Sequence, residues 1–257
     1  MATGRTTIKH ARFYAAGYDL SGYTRMFGPC DWTFEEHEAT APLGDAAKGY
    51  LPGHPAISVG ALNGNLDNTA TSGLHVNFNT AGVARVVMAP FGIRADPAAG
   101  DPVFAGRYEQ LGYQAAGDGV MAVNIPFGAW DVANLVAYGN PWGLLVHANG
   151  AETAANTGTG FDNYVAAETQ FGGYLVYQVF AGNGTATISI DDSANNSTFL
   201  ALSGATSGSI DCSNPTSGIV ALGRTATVRR YLRWQLALGT ATTVTFALSF
   251  CRQYYAQ

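Results

Sequence analysis

The segment Thr243–Phe250 reads TVTFALSF, and every second residue in it is a large apolar one. Val244, Phe246 and Phe250 are three of these residues, and they alternate with small or polar side chains. Successive side chains of a β-strand point to opposite faces of the sheet, so a period of two indicates a strand with one buried face. The same period recurs over Ala186–Ile190 and Leu232–Leu238, which predicts that strands dominate the chain.

Turn residues separate the predicted strands. Asn183-Gly184 lies between two such runs and predicts a tight hairpin. The stretch 117–119, which reads GDG, predicts a second hairpin in the same way. Helical periodicity is scarce, and Gly44–Gly49 could form about one turn of helix. The fold class predicted from these patterns is all-β, built of sandwiches or barrels.

The composition is that of a weakly charged, glycine-rich protein of 257 residues with 32 glycines. Charged residues make up 12% of the chain, and the net charge is −5. A free monomer normally shows more surface charge, so we expect neighbouring subunits to cover part of this surface. The two lysines, Lys9 and Lys48, form no basic patch that would bind nucleic acid. No secretory leader and no apolar run of roughly 18 residues is visible, so no membrane partner is expected.

A boundary between two domains is predicted where the composition becomes small and polar. Residues 148–158 read ANGAETAANTG and lack apolar periodicity, which suits an exposed connection. We therefore place an N-terminal domain at 1–147, a linker at 148–164 and a C-terminal β-sandwich at 165–257.

The sequence contains no motif that predicts catalysis or cofactor binding, so neither an enzyme nor a cofactor is expected. The acidic run that contains His37 is interpreted as a solvated strand edge rather than a metal site, because alternate residues point to opposite faces. Asp191–Ser197 is interpreted as a turn rich in Asp and Asn, since Asn196 and Leu202 stand where a calcium loop needs Gly and Glu. Cys30, Cys212 and Cys251 are interpreted as single buried thiols.

Several segments resemble the major tail proteins of long-tailed bacteriophages. Tyr14–Tyr23 is similar to the opening strand and turn of that family, and Leu43–Gly53 resembles its loop of Gly-Asp, Lys, Tyr and Pro-Gly. Ile57–Gly64 is similar to the strand that follows. In the second half, Gly182–Ile190 and Thr227–Arg233 resemble the small sandwich that is often appended to phage structural proteins.

This resemblance implies a structural subunit without enzymatic activity. It implies an N-terminal tail-tube sandwich or barrel that joins its copies into a ring, usually of six, and a C-terminal jelly-roll-like or Ig-like sandwich as decoration on the outside. Rings would stack into a tail tube through which viral DNA passes without specific binding. The implied partners are further copies of the chain, a tape-measure protein and a tail-terminator protein. The implied location is the virion tail, assembled in the cytoplasm of the bacterial host.

The segment Asp31–Pro55 is predicted to be the loop that contacts the next ring, because it is long and its three prolines suit irregular surface structure. Its candidate contact residues are Glu35, Glu36, His37, Glu38, Asp45, Lys48 and Tyr50. A conduit for DNA must avoid a basic wall, because lysines and arginines hold phosphates. The candidate acidic residues of the tube lumen are Glu35, Glu36, Glu38, Asp67, Glu109 and Asp118.

Two alternatives remain open. A carbohydrate-binding module, with a surface glycan bound by the C-terminal domain, would need a row of exposed aromatic residues on that sandwich. A capsid decoration or neck protein would be structural in the same sense as a tail subunit.

Overall fold

The protein is nearly all β, as the alternating patterns predict. A computed structural model describes residues 7–38, 50–93, 95–117, 119–129, 140–165 and 167–254, with the main chain alone for Phe34, Glu35, 50–56 and Ala129. The expected helical turn at Gly44–Gly49 lies outside the described residues. The helices among the described residues are a 3-10 turn at Ile8–His10 and α1 at Leu74–Phe78.

The strands of the first half alternate with short turns along the chain. They are β1 (Tyr14–Ala15), β2 (Tyr18–Asp19), β3 (Thr24–Met26), β4 (Cys30–Glu38), β5 (Tyr50–Val59), β6 (Leu62–Asn65), β7 (Val83–Pro90), β8 (Pro102–Gln110), β9 (Gln114–Ala116), β10 (Ala122–Ile125) and β11 (Phe127–Ala129). The strands of the second half are longer on average, and the last of them contains the alternating segment Val244–Phe250. They are β12 (Trp142–Glu152), β13 (Asn156–Thr157), β14 (Phe161–Asp162), β15 (Gly173–Gly182), β16 (Thr185–Ser193), β17 (Leu200–Thr206), β18 (Ile210–Asp211), β19 (Thr216–Ala221), β20 (Tyr231–Leu238) and β21 (Val244–Arg252).

One nine-stranded sheet runs through both halves of the chain. Its order is β19-β15-β21-β12-β8-β7-β1-β2, with β11 paired to β8. Strand β21 is central in this sheet, between β15 and β12. The prediction of a strand at Val244–Phe250 is therefore confirmed, but the prediction of a single buried face is wrong. Ala247, Ser249 and Cys251 on the other face are as fully buried as the apolar row.

Three apolar cores lie against the two faces of this sheet. On one face, Phe246 and Leu248 pack against a six-stranded sheet built around β16 and β20. Farther along the same face, Phe104 packs with α1 and with the four-stranded sheet β3-β6-β10-β9. The opposite face holds a third core, to which both halves contribute, for example Met88 and Val176.

The nine-stranded sheet curls until its two ends meet. The buried side chain of Gln178, on β15, accepts a hydrogen bond from the Gly17 main-chain N–H at 2.7 Å and donates one to the Val86 carbonyl at 2.9 Å. Gly17 has a φ of 85°, and a Cβ there would lie 2.4 Å from the Thr216 nitrogen, so glycine alone fits this contact. The third core is thereby enclosed by the curled sheet.

The predicted hairpin at Asn183-Gly184 does not form. Strand β15 pairs with β19 and β21, whereas β16 pairs with β17, β18 and β20, so this turn carries the chain from one sheet to another. The Asn183 side chain accepts a hydrogen bond from the Thr242 N–H at 2.8 Å, which fixes the crossing. Tight turns look alike in sequence whether they join two paired strands or connect two sheets.

A hairpin does form at the second predicted turn, but its first strand is Gln114–Ala116 rather than the predicted run Arg107–Tyr113. Strands β9 and β10 pair antiparallel around residues 117–121, with Ala116 opposite Ala122. Asp118 itself lies outside the described residues. The preceding strand β8 belongs to the nine-stranded sheet instead.

The linker expected at 148–164 consists largely of strand residues. Strand β12 runs on to Glu152 and pairs with β21, while β13 and β14 pair with β20. Residues 148–152 alternate between half-buried and exposed, and residues 153–157 are exposed. Both predicted domains contribute strands to one sheet, and their independence stays a prediction that a truncation tests.

Candidate assembly interface

The described residues of the segment Asp31–Pro55 belong to an arm, defined here as the antiparallel ribbon of β4 and β5. The pairing runs from Cys30 opposite Val59 to Glu38 opposite Tyr50, with a bulge between Phe34 and Glu36. For these described residues the prediction of irregular structure was wrong, because prolines can occupy a strand whose outer edge pairs with no neighbour. The described part of the arm forms a two-stranded sheet of its own.

The base of the arm is packed against the core, and the described side chains at the outer end of β4 are exposed. Ile57 and Val59 are buried in the core that contains Phe104, and Trp32 packs against that core. Glu36, like its two successors in β4, is exposed. Nine strand residues span about 30 Å at about 3.3 Å each, so the arm extends well beyond the packed base. An isolated two-stranded ribbon is marginally stable in water, so the outer end suits contact with another molecule.

The structure brings together only some of the predicted contact residues. Glu36, His37 and Glu38 follow one another at the outer end of β4, where all three are exposed. Glu35 and Tyr50 are described by their main chain, at the bulge and at the start of β5. Asp45 and Lys48 lie outside the described residues.

The predicted lumen residues are spread over separate elements. Glu36 and Glu38 lie on the arm, Glu109 lies on β8, and Asp67 follows β6. The Asp67 carboxylate accepts hydrogen bonds from the N–H and the hydroxyl of Thr69, which lower its pKa. Asp67 therefore has a local role in the turn before α1, and whether any of these residues faces a lumen stays a prediction.

Arginine residues pair with the aspartates that the sequence had suggested as a possible calcium loop. Asp191 accepts hydrogen bonds from Arg233 at 2.8 Å, and Asp192 accepts from Arg229 at 2.8 Å. The following Asn195 side chain accepts from two main-chain N–H groups, which confirms the turn interpretation. Both carboxylates are buried, and their arginines serve as the counter-charges that burial requires.

The cysteines are free thiols in the described structure. Cys212 and Cys251 are buried, as predicted, and Cys30 is partly buried. Burial raises the pKa of Cys251 to about 12. The thiolate form is the reactive one, so this cysteine has a structural role in the third core.

The C-terminal half shows few exposed aromatic side chains. Among its described residues, the exposed large apolar or aromatic side chains are Trp142, Tyr164, Leu200 and Tyr254, on separate segments. Tyr164 is 77% exposed and has a φ of 54°, and its N–H is bonded to the Asp162 carboxylate. Glycan binding by this half stays an open alternative, to be tested on Tyr164.

Neither a metal-binding cluster nor a membrane-spanning helix is found among the described residues. No group of three or more His, Cys, Asp or Glu side chains in the described ranges is placed to hold a metal ion. None of the helices described here is long and apolar enough to cross a bilayer.

No protein-family profile and no curated protein matches this sequence. Among solved structures, the chain is similar to the SPP1 Dit protein, described as a paradigm of the hub adsorption apparatus in phages that infect Gram-positive bacteria. The identity is 14% and the TM-score 0.33, over 93% of this chain and 98% of that one. A second likeness is to the infectious bursal disease virus Gx strain structure, at 12% identity and a TM-score of 0.24, over 91% of this chain and 59% of that one. At these TM-scores neither likeness carries an argument about function.

Proposed function

We propose that this chain is a structural subunit of a phage tail, which assembles with its own copies into stacked rings that form a tube. The observation that carries the proposal is the arm, whose described strands form a two-stranded sheet of their own and end in the exposed residues Glu36, His37 and Glu38. The order of the segments that resemble major tail proteins also supports it.

Ring formation requires a heterologous contact, in which one surface of each copy meets a different surface of the next. The arm is one such surface, and the open edges of the four-stranded sheet, β3 and β9, are others. Exposed strand edges pair with further strands unless they are blunted or covered. Assembly of copies would cover these edges, which agrees with the low surface charge of the chain.

The tube would conduct DNA without gripping it. Acidic side chains repel phosphates over about 10 Å at moderate salt, and the candidates are those of the arm together with Glu109. Tape-measure and terminator proteins would be the further partners of the tube. Replacing Glu109, the candidate that lies outside the arm, with lysine should slow genome ejection, most strongly at low salt, while assembly continues. Unchanged ejection from such a tube would leave the lumen as a steric channel only.

The test of the proposal is assembly of the purified chain with and without the arm tip. We expect the wild-type protein to form rings or tubes in negative-stain micrographs and species larger than a monomer in light scattering. Deletion of Thr40–Lys48 should leave a folded monomer, because the arm base is anchored in the core through Ile57 and Val59. Glu168→Lys, a charge reversal at an exposed position far along the chain, is the control and should assemble normally. A wild-type protein that stays monomeric at every concentration would refute the proposal.

A further inference from the structure

Three Asn-Gly steps occur in the chain, at Asn63, Asn149 and Asn183. In such a step the main-chain nitrogen of the glycine can attack the side-chain carbonyl carbon of the asparagine, because glycine has no side chain to hinder the approach. The attack requires the side chain and the main chain of the asparagine to rotate into line. The structure places the three steps in different surroundings, which set how freely each of them can do so.

Asn63 lies in the interior of the four-stranded sheet. Its strand β6 pairs with β3 on one side and with β10 on the other, so the main chain is held at both edges. A Cβ on Gly64 would lie 2.7 Å from the Tyr23 carbonyl oxygen, which leaves the glycine little room to move. The ladder therefore resists the rotation that the attack requires.

Hydrogen bonds hold the Asn183 side chain in place. Its oxygen accepts from the N–H groups of Thr242 at 2.8 Å and Thr243 at 3.3 Å, and its nitrogen donates to the Thr242 hydroxyl at 2.8 Å. Gly184 has a φ of 57°, and a Cβ there would lie 2.7 Å from the Thr240 carbonyl carbon. Rotation of Asn183 would have to break all of these bonds.

Asn149 is exposed and stands where strand β12 loses its regular register. Leu145 lies opposite Ser249 and Gly150 opposite Phe246, so β12 advances by five residues while β21 advances by three. The extra residues of such bulges are left without a ladder partner. A Cβ on Gly150 would meet its nearest described neighbours at 3.6 Å, an ordinary contact, so packing does not require glycine there. Asn149 is the least constrained of the three asparagines.

The Asn149 side chain joins two strands that are far apart in the sequence. Its amide nitrogen donates a hydrogen bond to the Asp19 carboxylate at 3.3 Å, across 130 positions of the chain. Asp19 is the last residue of β2, the end strand of the curled sheet. Within the described part of the chain this is the hydrogen bond that the side chain makes, so its rotation breaks that bond alone.

We propose that Asn149 is a site of spontaneous deamidation. The Gly150 nitrogen bonds to the side-chain carbon of Asn149, the bond from that carbon to the amide nitrogen breaks, and the Gly150 proton leaves with the amide group as ammonia. Water then opens either C–N bond of the cyclic succinimide. One product is aspartate, and the other is isoaspartate, in which the main chain runs through the former side-chain carbon. Both products add a carboxylate near Asp19.

The added charge changes the contact with Asp19 from attraction to repulsion. An amide and a carboxylate form a hydrogen bond, whereas two neighbouring carboxylates repel each other unless salt screens them. The Gln178 side chain accepts its hydrogen bond from Gly17 in the turn that precedes β2, so the new charge acts beside the contact that closes the sheet. Deamidation should therefore loosen β2 from β12.

The experiment incubates the full-length chain in mildly alkaline buffer made with heavy-oxygen water. Opening of the succinimide incorporates a heavy oxygen at the reacted residue, and peptide mapping by mass spectrometry locates it. We expect the label at Asn149 first, well ahead of Asn63 and Asn183. Gly150→Ala should slow labelling of Asn149 by an order of magnitude and keep the wild-type melting curve. In denaturant the three steps should react at similar rates, because no folded structure then separates them.

Asn149→Asp measures the effect of the added charge directly. At low salt its melting midpoint should fall by about 2 °C, as for an exposed pair in a chain of this size, and high salt should remove the difference. Combining it with Asp19→Asn restores an amide opposite a carboxylate and should recover the wild-type midpoint. Asn149→Ser loses the hydrogen bond without adding a charge, so its midpoint should lie between those of the wild type and Asn149→Asp.

Other outcomes would overturn the proposal. Label that appears first at Asn63 or Asn183, or no label at Asn149 while the chain stays folded, would show that the structure does not favour this site. Equal labelling of Asn149 in the wild type and in Gly150→Ala would exclude attack by the glycine nitrogen. The same ranking in denaturant as in the folded chain would mean that the local sequence selects the site. An Asn149→Asp variant that melts like the wild type at low salt would refute the effect on sheet closure.

Discussion

Strand β21 and the arm are both regular antiparallel β-structure, yet their surroundings differ completely. Both neighbours of β21 are long strands, and both of its faces are buried from Val244 to Arg252 apart from Thr245. The arm has a partner strand but beyond its base no described covering layer. Pairing alone therefore satisfies the hydrogen-bonding groups of the main chain. The stability of the fold comes from apolar side chains that are buried where a second layer covers the strand. The sheet should hold the subunit together, and the arm should be free for assembly.

The largest expected effect is that of a truncation after Gly158, which removes β21. Strand β12 would lose β21, one of its two partners, and the third core would lose Tyr174, Val176 and Ala247. We expect an insoluble or unfolded fragment, in contrast to the deletion of Thr40–Lys48, which should keep the wild-type melting curve. Circular dichroism and light scattering on both proteins provide the measurement. A soluble, cooperatively folded fragment 1–158 would show instead that the N-terminal half is an independent domain.

A single substitution in β21 should show the same difference in stability between the sheet and the arm. Phe246 is fully buried and its ring stacks on His147 with centroids 4.0 Å apart. Phe246→Ala should lower the free energy of unfolding by about 3–5 kcal/mol, as for other large-to-small core changes. Glu36→Gln on the arm should change it by less than about 0.5 kcal/mol. Urea denaturation of the two variants gives both values, and equal losses would mean that the arm contributes to stability as the core does.

The sequence predicted the all-β fold class better than it predicted which strands pair with one another. Alternation over Ala186–Ile190 is a local property of a strand with one covered face, and the structure confirms it. The crossing at Asn183-Gly184 could not be distinguished from a hairpin, because partner choice depends on contacts with residues far along the chain. The closure of the curled sheet gave no signal for a similar reason, because the Gln178 side chain bonds the Val86 carbonyl, which lies 92 positions away in the chain. The segment Asp31–Pro55 was predicted to be irregular, whereas its described residues pair as β4 and β5, and its contact with a next ring stays a prediction.

For ion pairs of the second half, the contribution to folding stability should also be greater where the pair is buried. The Asp192 side chain is 2% exposed and accepts hydrogen bonds from both the N–H and the guanidinium of Arg229. Asp192→Ala leaves a main-chain donor without its acceptor and should cost about 1–3 kcal/mol. Asp162→Ala is the matched control, because that carboxylate and its Arg230 partner are 31% and 39% exposed, and exposed pairs contribute about 0–1 kcal/mol. Chemical denaturation measures both, and a greater loss for Asp162→Ala would contradict the role given to burial.

The smallest expected effect is a pH dependence that originates at His147. This ring lies between Phe246 and Trp234, with Nδ1 3.1 Å from the Phe246 carbonyl and Nε2 3.3 Å from a Glu152 oxygen. Burial lowers its pKa below the ordinary 6.5, although the Glu152 carboxylate and the carbonyl oppose that shift.

As the pH falls below 6.5, the unfolded chain gains a proton on His147 before the folded one does, so the free energy of unfolding decreases. The decrease levels off once the pH is below the pKa of the folded state. His147→Gln removes this contribution and retains the other four histidines, His10, His37, His54 and His75, so the difference between the two pH profiles isolates one ring. We expect the variant to show a shallower decline between about pH 7 and about pH 5.5, a range in which ordinary carboxylates stay charged. Parallel profiles would mean that the buried ring takes up its proton as readily as an exposed one, with Glu152 offsetting the loss of water.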